Sequence, residues 1–190
     1  MLINILSREP LFTAVWDIPP YDQHSDRHGN VDESLRKNPL YRRMIDCELV
    51  LRFFAFRKRS NIKGSVRSML DRCMAENMNA KEPEINAFIK DFRSRLKLAH
   101  DIFGKRVFRY ENEKGDLEVS QPLYDGVMVA LDRLWDSRAN LISAKTRVVE
   151  KVERLLGNEA KFEIIVGKPN TAKAVQERMD LLTQAIESAI

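Results

Sequence analysis

RRMIDCELVLRFFAF, from Arg42 to Phe56, is the stretch that decides the fold. On a helix with about 100° between successive residues, its apolar side chains spread to every side and leave no wide polar face. The stretch is shorter than the ~20 apolar residues of a membrane span, and Asp46, Glu48 and Arg52 interrupt it. We therefore predict an all-α fold, a compact multi-helix bundle around a buried central helix at about 41–59.

The charged residues of this stretch are expected to pair with one another. Glu48 and Arg52 are four residues apart with the acid on the N-terminal side, which is the favourable order for a helical ion pair. Asp46 can reach back to Arg42 or Arg43 in the same way. We predict both pairs as structural ion pairs. Removing one partner of such a buried pair is then expected to be strongly destabilising.

Length and composition indicate one domain that folds without metal or disulfide bonds. The 190 residues contain 44% hydrophobic residues, so we predict a single helical domain over 1–190 and expect no cofactor. The net charge is +4, from 32 basic and 28 acidic residues with the signs mixed, which permits DNA contact without requiring it. Cys47 and Cys73 occupy apolar helical positions, and the sequence shows neither a secretory leader nor a long apolar span. We therefore expect buried thiols, a cytoplasmic protein and no membrane contact.

The rest of the chain is predicted mainly from apolar residues spaced three or four apart. Ser65 is a good N-cap, and Asn79 with Glu82 has the spacing of a capping box before the longest amphipathic stripe, which ends at Gly104. A small β-hairpin is predicted near 107–119, where short apolar runs flank a Gly-containing turn. Further helical stripes are predicted over 66–74, 121–135 and 141–156. A last helix carrying the stripe 175–186 is predicted to begin at a cap supplied by Asn170 or Thr171.

Residues 18–38 have no apolar period and contain several turn-forming residues, so we predict a long, mobile surface loop. Within it, Asp22, His24, Asp26 and His28 could hold a metal if the segment became helical, because His-x-x-x-His places both rings on one side. Nothing in the segment favours a helix or supplies partners to orient such ligands. We therefore favour a solvated loop and predict no metal site.

Common enzyme motifs are missing from the sequence. It has no phosphate-binding glycine loop of either common type, and no CxxC, HExxH or GxSxG. One coincidence remains: Arg95 and His100 match the Arg-x4-His spacing of the all-α HEPN ribonucleases, in which arginine and histidine assist attack by a ribose 2′-hydroxyl. A metal-independent ribonuclease is therefore kept as a weaker alternative, and no other catalytic residue is predicted.

A basic cluster follows the central helix. It comprises Arg57, Lys58, Arg59 and Lys63, with Arg67 close behind in the sequence. One interpretation is a solvated helix end, where cations complement the helix dipole. The other is a patch that contacts nucleic-acid phosphates and binds in a salt-sensitive way.

Residues 43–56 resemble the "RM-x-D-x-E-x-VLRF-x-A" helix in the C-terminal part of the domain of unknown function 262 family, whose prokaryotic members include GmrSD-type modification-dependent restriction endonucleases. Three later segments resemble that family in the same order. Residues 88–109 are similar to its "F…L…IFG…FR" segment, 123–130 to its "lfDaimvA" helix, and 167–178 to its closing segment.

The resemblance implies the helical part of a restriction or phage-defence protein. Full-length members of that family carry an upstream ParB-like domain with an Asp-Gly-Gln-Gln-Arg signature, associated with nucleotide hydrolysis and nuclease action, and often a downstream HNH-type nuclease. This sequence has neither motif, so the implied role is non-catalytic. We expect it to support a ParB-like nuclease on a partner chain and to contact DNA through the basic cluster. The alternative is a stand-alone protein-interaction module or homo-oligomer, with an apolar segment at Leu2–Trp16 that binds the partner.

Overall fold

The computed structural model describes residues 2–20, 33–167 and 169–190. Within them the chain forms twelve α helices and one two-stranded antiparallel sheet, which confirms the predicted all-α class with a small hairpin. The strands are β1 (Arg109–Glu111) and β2 (Leu117–Val119), with Tyr110 opposite Glu118. The helices are α1 (Leu2–Leu6), α2 (Pro10–Val15), α3 (Glu33–Lys37), α4 (Pro39–Arg42), α5 (Ile45–Arg57), α6 (Val66–Asn77), α7 (Glu82–Phe103), α8 (Gln121–Arg133), α9 (Arg138–Ser143), α10 (Lys145–Leu156), α11 (Glu159–Phe162) and α12 (Ala172–Glu187).

Two helices share the centre of the molecule. The predicted central helix, α5, buries apolar residues on several sides, including Leu49, Phe53 and Phe56. Its neighbour α8 is buried without interruption from residue 123 to residue 131. Helix α12 packs along the other side of α8, and Gly126 permits the close approach. The core is therefore the three-helix stack α5–α8–α12, with the remaining helices around it.

The chain reaches α5 through a break that splits the helix predicted at 41–59. Asn38 caps α4 by accepting hydrogen bonds from the first-turn backbone, and α4 ends at Arg42. Met44 then adopts a left-handed conformation with φ of 55°, and α5 begins at Ile45. Because the helix is interrupted, side-chain spacings counted across this break do not apply.

Several predicted helix boundaries are confirmed. Ser65 accepts a hydrogen bond from the backbone of Ser68 at the start of α6. Thr171 caps α12 in the same way. The start of α7 differs, because Glu84 accepts from the backbone N–H of Lys81 and the helix begins at Glu82 rather than just after Asn79.

Helices α1 and α2 belong to the domain's own core. Leu6 and Phe12 are fully buried, and the Trp16 ring stacks on Phe108 and meets the edge of Tyr124. Much of the segment proposed from sequence as a surface for a partner chain therefore packs inside the domain, whereas Ile5 is exposed. Leu6, Phe12, Val15 and Trp16 are buried in the core of the domain.

Part of the range predicted as a loop, 18–38, is helical. Helix α3 lies inside that range, and its Leu35 is 2% exposed. The candidate metal ligands lie outside the described residues, at Asp22, His24, Asp26 and His28. No helix in the described ranges is long and apolar enough to cross a membrane.

Candidate nucleic-acid interface

Lys58, Arg59 and Lys63 lie on or beside an exposed 3₁₀ turn that follows α5. Two side chains hold this turn in place through its carbonyl groups. Arg72 of α6 donates to the backbone oxygen of Asn61 at 2.7 Å, and Gln176 of α12 donates to that of Ile62 at 3.0 Å. The three cations are therefore carried by a turn that is anchored on two helices.

The N-termini of α6 and α12 meet beside this turn. Ser65 and Thr171, the residues that cap them, pair through their backbones in an isolated antiparallel bridge. The first N–H groups of each helix have no intrahelical acceptor, and both helix dipoles place partial positive charge there. We call the turn cations together with these two helix starts the basic surface.

Cations of the basic surface differ in how firmly they are paired. Within the described residues, Lys58 and Lys63 form no ion pair, whereas Arg59 contacts Asp180 at 2.7 Å. The first turns of the two helices add Arg67 and Lys173, whose nitrogens lie 3.9 Å and 3.8 Å from carboxylates one turn away. Exposed pairs of that length contribute little energy, so these side chains can turn toward a ligand at small cost.

Arg57 was predicted in this surface, but the structure places it in a different cluster. Its Nε donates to Asp132 at 2.8 Å and its Nη1 lies 2.8 Å from Asp91. Arg95 contacts the same two carboxylates, at 2.8 Å and 3.1 Å. The four side chains form an alternating ring of two arginines and two aspartates. Arg57 is therefore a structural residue that joins α5 to α7 and α8.

Arg95 and His100, the alternative catalytic pair, are not brought together. Arg95 is buried in the ring described above, and its guanidinium carbon lies 3.9 Å from the centre of the Trp135 ring. His100 is exposed and lines a shallow groove with Leu11. Five residues of helix turn the chain by about 500°, which leaves the two side chains roughly 140° apart. This geometry offers no shared ribose site.

The core contains a buried charge pair that joins α5 to α8. The predicted contact between Glu48 and Arg52 forms, at 3.2 Å. The stronger partner is Asp125 of α8, which accepts from Arg52 Nε at 3.0 Å and also from Nη2. Burial raises the pKa of Asp125 despite the nearby Arg52. Burial alone would lower the pKa of Arg52, but the two carboxylates raise it by more, and the guanidinium stays charged.

The closing helix adds a second arginine to this core pair. Arg178 of α12 is fully buried, and its Nη1 donates to Asn170 at 3.3 Å. Its charge acts on the carboxyl of Asp125, and burial lowers the pKa of Arg178 itself. A signal for this arrangement was present in the sequence, since Arg52 and Asp125 are charges of opposite sign that each interrupt an apolar run. Spacing along the chain does not pair them, because they are 73 residues apart.

The predicted pairing of Asp46 with Arg42 or Arg43 does not form between the described residues. Asp46 is 4% exposed in the first turn of α5, while both arginines precede the break at Met44 and are exposed. The reason is the break itself, since the four-residue spacing holds only within a continuous helix. Oδ1 of Asp46 is buried and accepts no hydrogen bond within the described part of the chain.

The two cysteines are both unbridged. Cys73 is buried as predicted, whereas Cys47 is half-buried and donates to Asn4 Oδ1 at 3.3 Å. Burial raises the pKa of both thiols, which makes them poor nucleophiles at neutral pH. Among the described residues, no group of three or more histidine, cysteine, aspartate or glutamate side chains could hold a metal ion.

Comparison with protein-family models, with curated proteins and with solved structures found no match.

Proposed function

We propose that this chain is a non-catalytic helical domain of a restriction or phage-defence protein related to the domain of unknown function 262 family, and that it contacts DNA phosphates through the basic surface. The observation that carries the DNA contact is the meeting of two helix N-termini at Ser65 and Thr171 beside Lys63. The first-turn N–H groups that the two caps leave unpaired within the helix, together with an adjacent ammonium group, are donors from which phosphate oxygens accept.

The charged core supports the relationship to that family. Three of the segments that carry the resemblance contribute one charged side chain each, Arg52, Asp125 and Arg178, and these meet around the α5–α8–α12 stack. When residues from segments far apart in sequence contact one another in the fold, those segments are expected to keep the features of a family jointly. The role that follows is architectural, which suits a domain that supports a catalytic partner.

DNA contact of this kind is expected to be independent of sequence. Two lysines without ion-pair partners among the described residues, Lys58 and Lys63, give a small number of phosphate contacts, and each contact releases condensed counterions. The mixed charge of the molecule keeps the affinity modest. We therefore expect strong weakening of binding by salt and little preference among duplexes of equal length.

Fluorescence anisotropy with a labelled 20-base-pair duplex, titrated at several salt concentrations, tests the proposal. The Lys58→Ala/Lys63→Ala variant should bind more weakly, and its slope of log affinity against log salt should be smaller by about 2, because each phosphate contact contributes about 0.9. The matched control is Lys105→Ala/Lys114→Ala, which removes two exposed lysines near the hairpin and should leave the slope unchanged.

Arg57→Ala separates the two interpretations of the basic cluster. Because Arg57 is tied to Asp91 and Asp132, its removal should lower the stability of the fold and leave the salt slope at the value of the parent protein. Absence of DNA binding at low salt would refute the DNA contact. An equal loss of slope in the Lys105→Ala/Lys114→Ala control would also refute the assignment to the basic surface.

A further inference from the structure

A cavity of about 370 Å³ lies between the hairpin and helices α7, α8, α10 and α11. Apart from buried core residues, its lining contains apolar and aromatic side chains that keep part of their surface exposed: Phe103, Tyr110, Val149, Leu156 and Phe162. Pockets that bind small molecules are mostly apolar and typically roughly 300–1,000 Å³ in volume. The cavity therefore has the size and the lining of a site for a small ligand, and none of the functions discussed above uses it.

Charged side chains that line the cavity do not balance one another. Arg106 lies 3.0 Å from Glu153 and 3.9 Å from Glu111, so one guanidinium group serves two carboxylates. The second arginine of the lining, Arg109, is already paired with Asp17 at 2.5 Å. Among the described residues, neither glutamate forms another ion pair, and their side chains are 55% and 45% exposed. The lining therefore carries an excess of one negative charge, on carboxylates that a ligand can reach.

Aromatic rings in the lining suit a ligand of the opposite charge. The ring centroids of Tyr110 and Phe162 lie 5.2 Å apart in an edge-to-face arrangement. The faces of such rings carry negative potential and attract organic cations. The same rings also cover apolar groups. An ammonium group attached to an apolar body would thus find favourable contacts for both of its parts.

The backbone beside the cavity is irregular at two places. Phe108, a buried lining residue, has a φ of 57°, which bulky side chains rarely adopt. It lies between the 3₁₀ turn that contains Arg106 and the strand that ends at Glu111, so it sets the positions of these two side chains. A π-helical turn, Glu163–Gly167, follows Phe162 directly. Strained residues and π turns both cluster at functional sites.

We propose that this cavity binds a small organic amine, with an apolar or aromatic body and one ammonium group. The body covers the partly exposed apolar side chains, and the ammonium group contacts the carboxylates of Glu111 and Glu153. Its single charge compensates the excess of one carboxylate. An organic acid is disfavoured, because pairing with Arg106 would place its charge beside two glutamates that share the same guanidinium group.

This proposal does not rest on the contact with DNA. All residues that line the cavity lie within 103–162, whereas the basic surface consists of the turn after α5 and the starts of α6 and α12. The two sites share no residue. Binding of an amine and binding of DNA can therefore fail independently of each other.

An NMR titration of the backbone amide signals of the whole protein tests the proposal. The three probes share one apolar body and differ in charge: phenethylamine, phenethyl alcohol and hydrocinnamate. The amine should bind about threefold or more tightly than the alcohol, as expected for an exposed ion pair, and the carboxylate should bind most weakly. Its shift changes should centre on β1 and on the last turns of α10. The advantage of the amine should shrink at high salt.

Four variants place the binding in this cavity. Glu111→Gln should remove the preference for the amine over the alcohol, whereas Glu113→Gln should keep it, because Glu113 is exposed in the same hairpin and does not line the cavity. Arg106→Gln should tighten binding of the amine, because it leaves both glutamates uncompensated. Val149→Trp fills part of the cavity and should weaken binding of the amine and the alcohol by about tenfold or more. Thermal unfolding of each variant verifies that it is folded, and Glu111→Gln decides the matter if Val149→Trp does not fold.

Several results would overturn the proposal. In the parent protein these are no binding of the amine, equal affinity for the amine and the alcohol, or a preference for the carboxylate. Shift changes confined to residues away from the cavity would overturn it as well. So would a Glu111→Gln variant that prefers the amine as strongly as the Glu113→Gln control does.

Discussion

Replacing Asp125 by asparagine should destabilise the fold by about 3–5 kcal/mol, the range for breaking a buried ion pair. Asp125 is fully buried and accepts from Arg52 at 3.0 Å and 3.2 Å through Nε and also through Nη2. The substitution keeps the shape but leaves the Arg52 guanidinium, 2% exposed, with the half-exposed Glu48 as its one carboxylate partner among the described residues. It also removes the carboxylate that faces the buried Arg178. Domains are typically stable by about 5–15 kcal/mol, so the loss is a large fraction of the total.

Urea unfolding followed by circular dichroism measures this loss. Asp136→Asn is the matched control, because Asp136 is exposed and its change should stay within about 0.5 kcal/mol. Arg52→Met completes a double-mutant cycle with Asp125→Asn. The double variant should be more stable than the sum of the two single losses predicts, by at least about 2 kcal/mol. A cost below about 1 kcal/mol for Asp125→Asn, or two losses that simply add, would show that the pair does not hold α5 to α8.

Three further predictions concern the same core. In Gly126→Ala a Cβ would lie 2.3 Å from Cδ1 of Leu182, so an overpacking cost of about 1–3 kcal/mol should exceed the ~1 kcal/mol gained in helix propensity, and the urea midpoint should fall. Phe12→Ala should cost about 3–5 kcal/mol in the same assay, because Phe12 is fully buried. An unchanged stability would instead favour α2 as a partner-binding segment. Burial raises the pKa of Tyr124 well above its usual value, so the folded state keeps a proton that the unfolded state loses near pH 10, and stability is lost as the pH rises beyond that point. In urea titrations at pH 7 and pH 11, Tyr124→Phe should lose less stability between the two pH values than the parent protein does. At pH 7 the substitution should cost about 1 kcal/mol, because the hydrogen bond to the Leu49 carbonyl is lost.

Local features of the fold could be predicted from the sequence because they depend on neighbouring residues. The caps at Ser65 and Thr171, and the hairpin between β1 and β2, each rest on a few adjacent residues. The central helix was recognised by its apolar content, but not the break at Met44, because a left-handed methionine has no sequence signal. Its importance is that it ends the four-residue spacing on which the predicted pairing of Asp46 with Arg42 depended.

The arrangement of charges could not be predicted from spacing along the chain. Arg57 has no suitable acid at helical spacing, and it pairs with Asp132, 75 residues later. Its position beside two exposed cations suggested a solvated or DNA-facing role. Which cation of a cluster points inward depends on where another helix places its carboxylates, and that is known only once α7 and α8 are in position.

The packing of α12 against α8 has a consequence for synthesis on the ribosome. Helix α12 packs on α8, with Leu182 against Gly126, so a nascent chain that has released α8 but not α12 leaves part of the apolar run at 123–131 uncovered. Folding of the core therefore waits for late residues, and chaperones have a defined time window in which to bind α8. Pausing of translation before residue 172 would lengthen that window and increase the yield of aggregated or degraded chains.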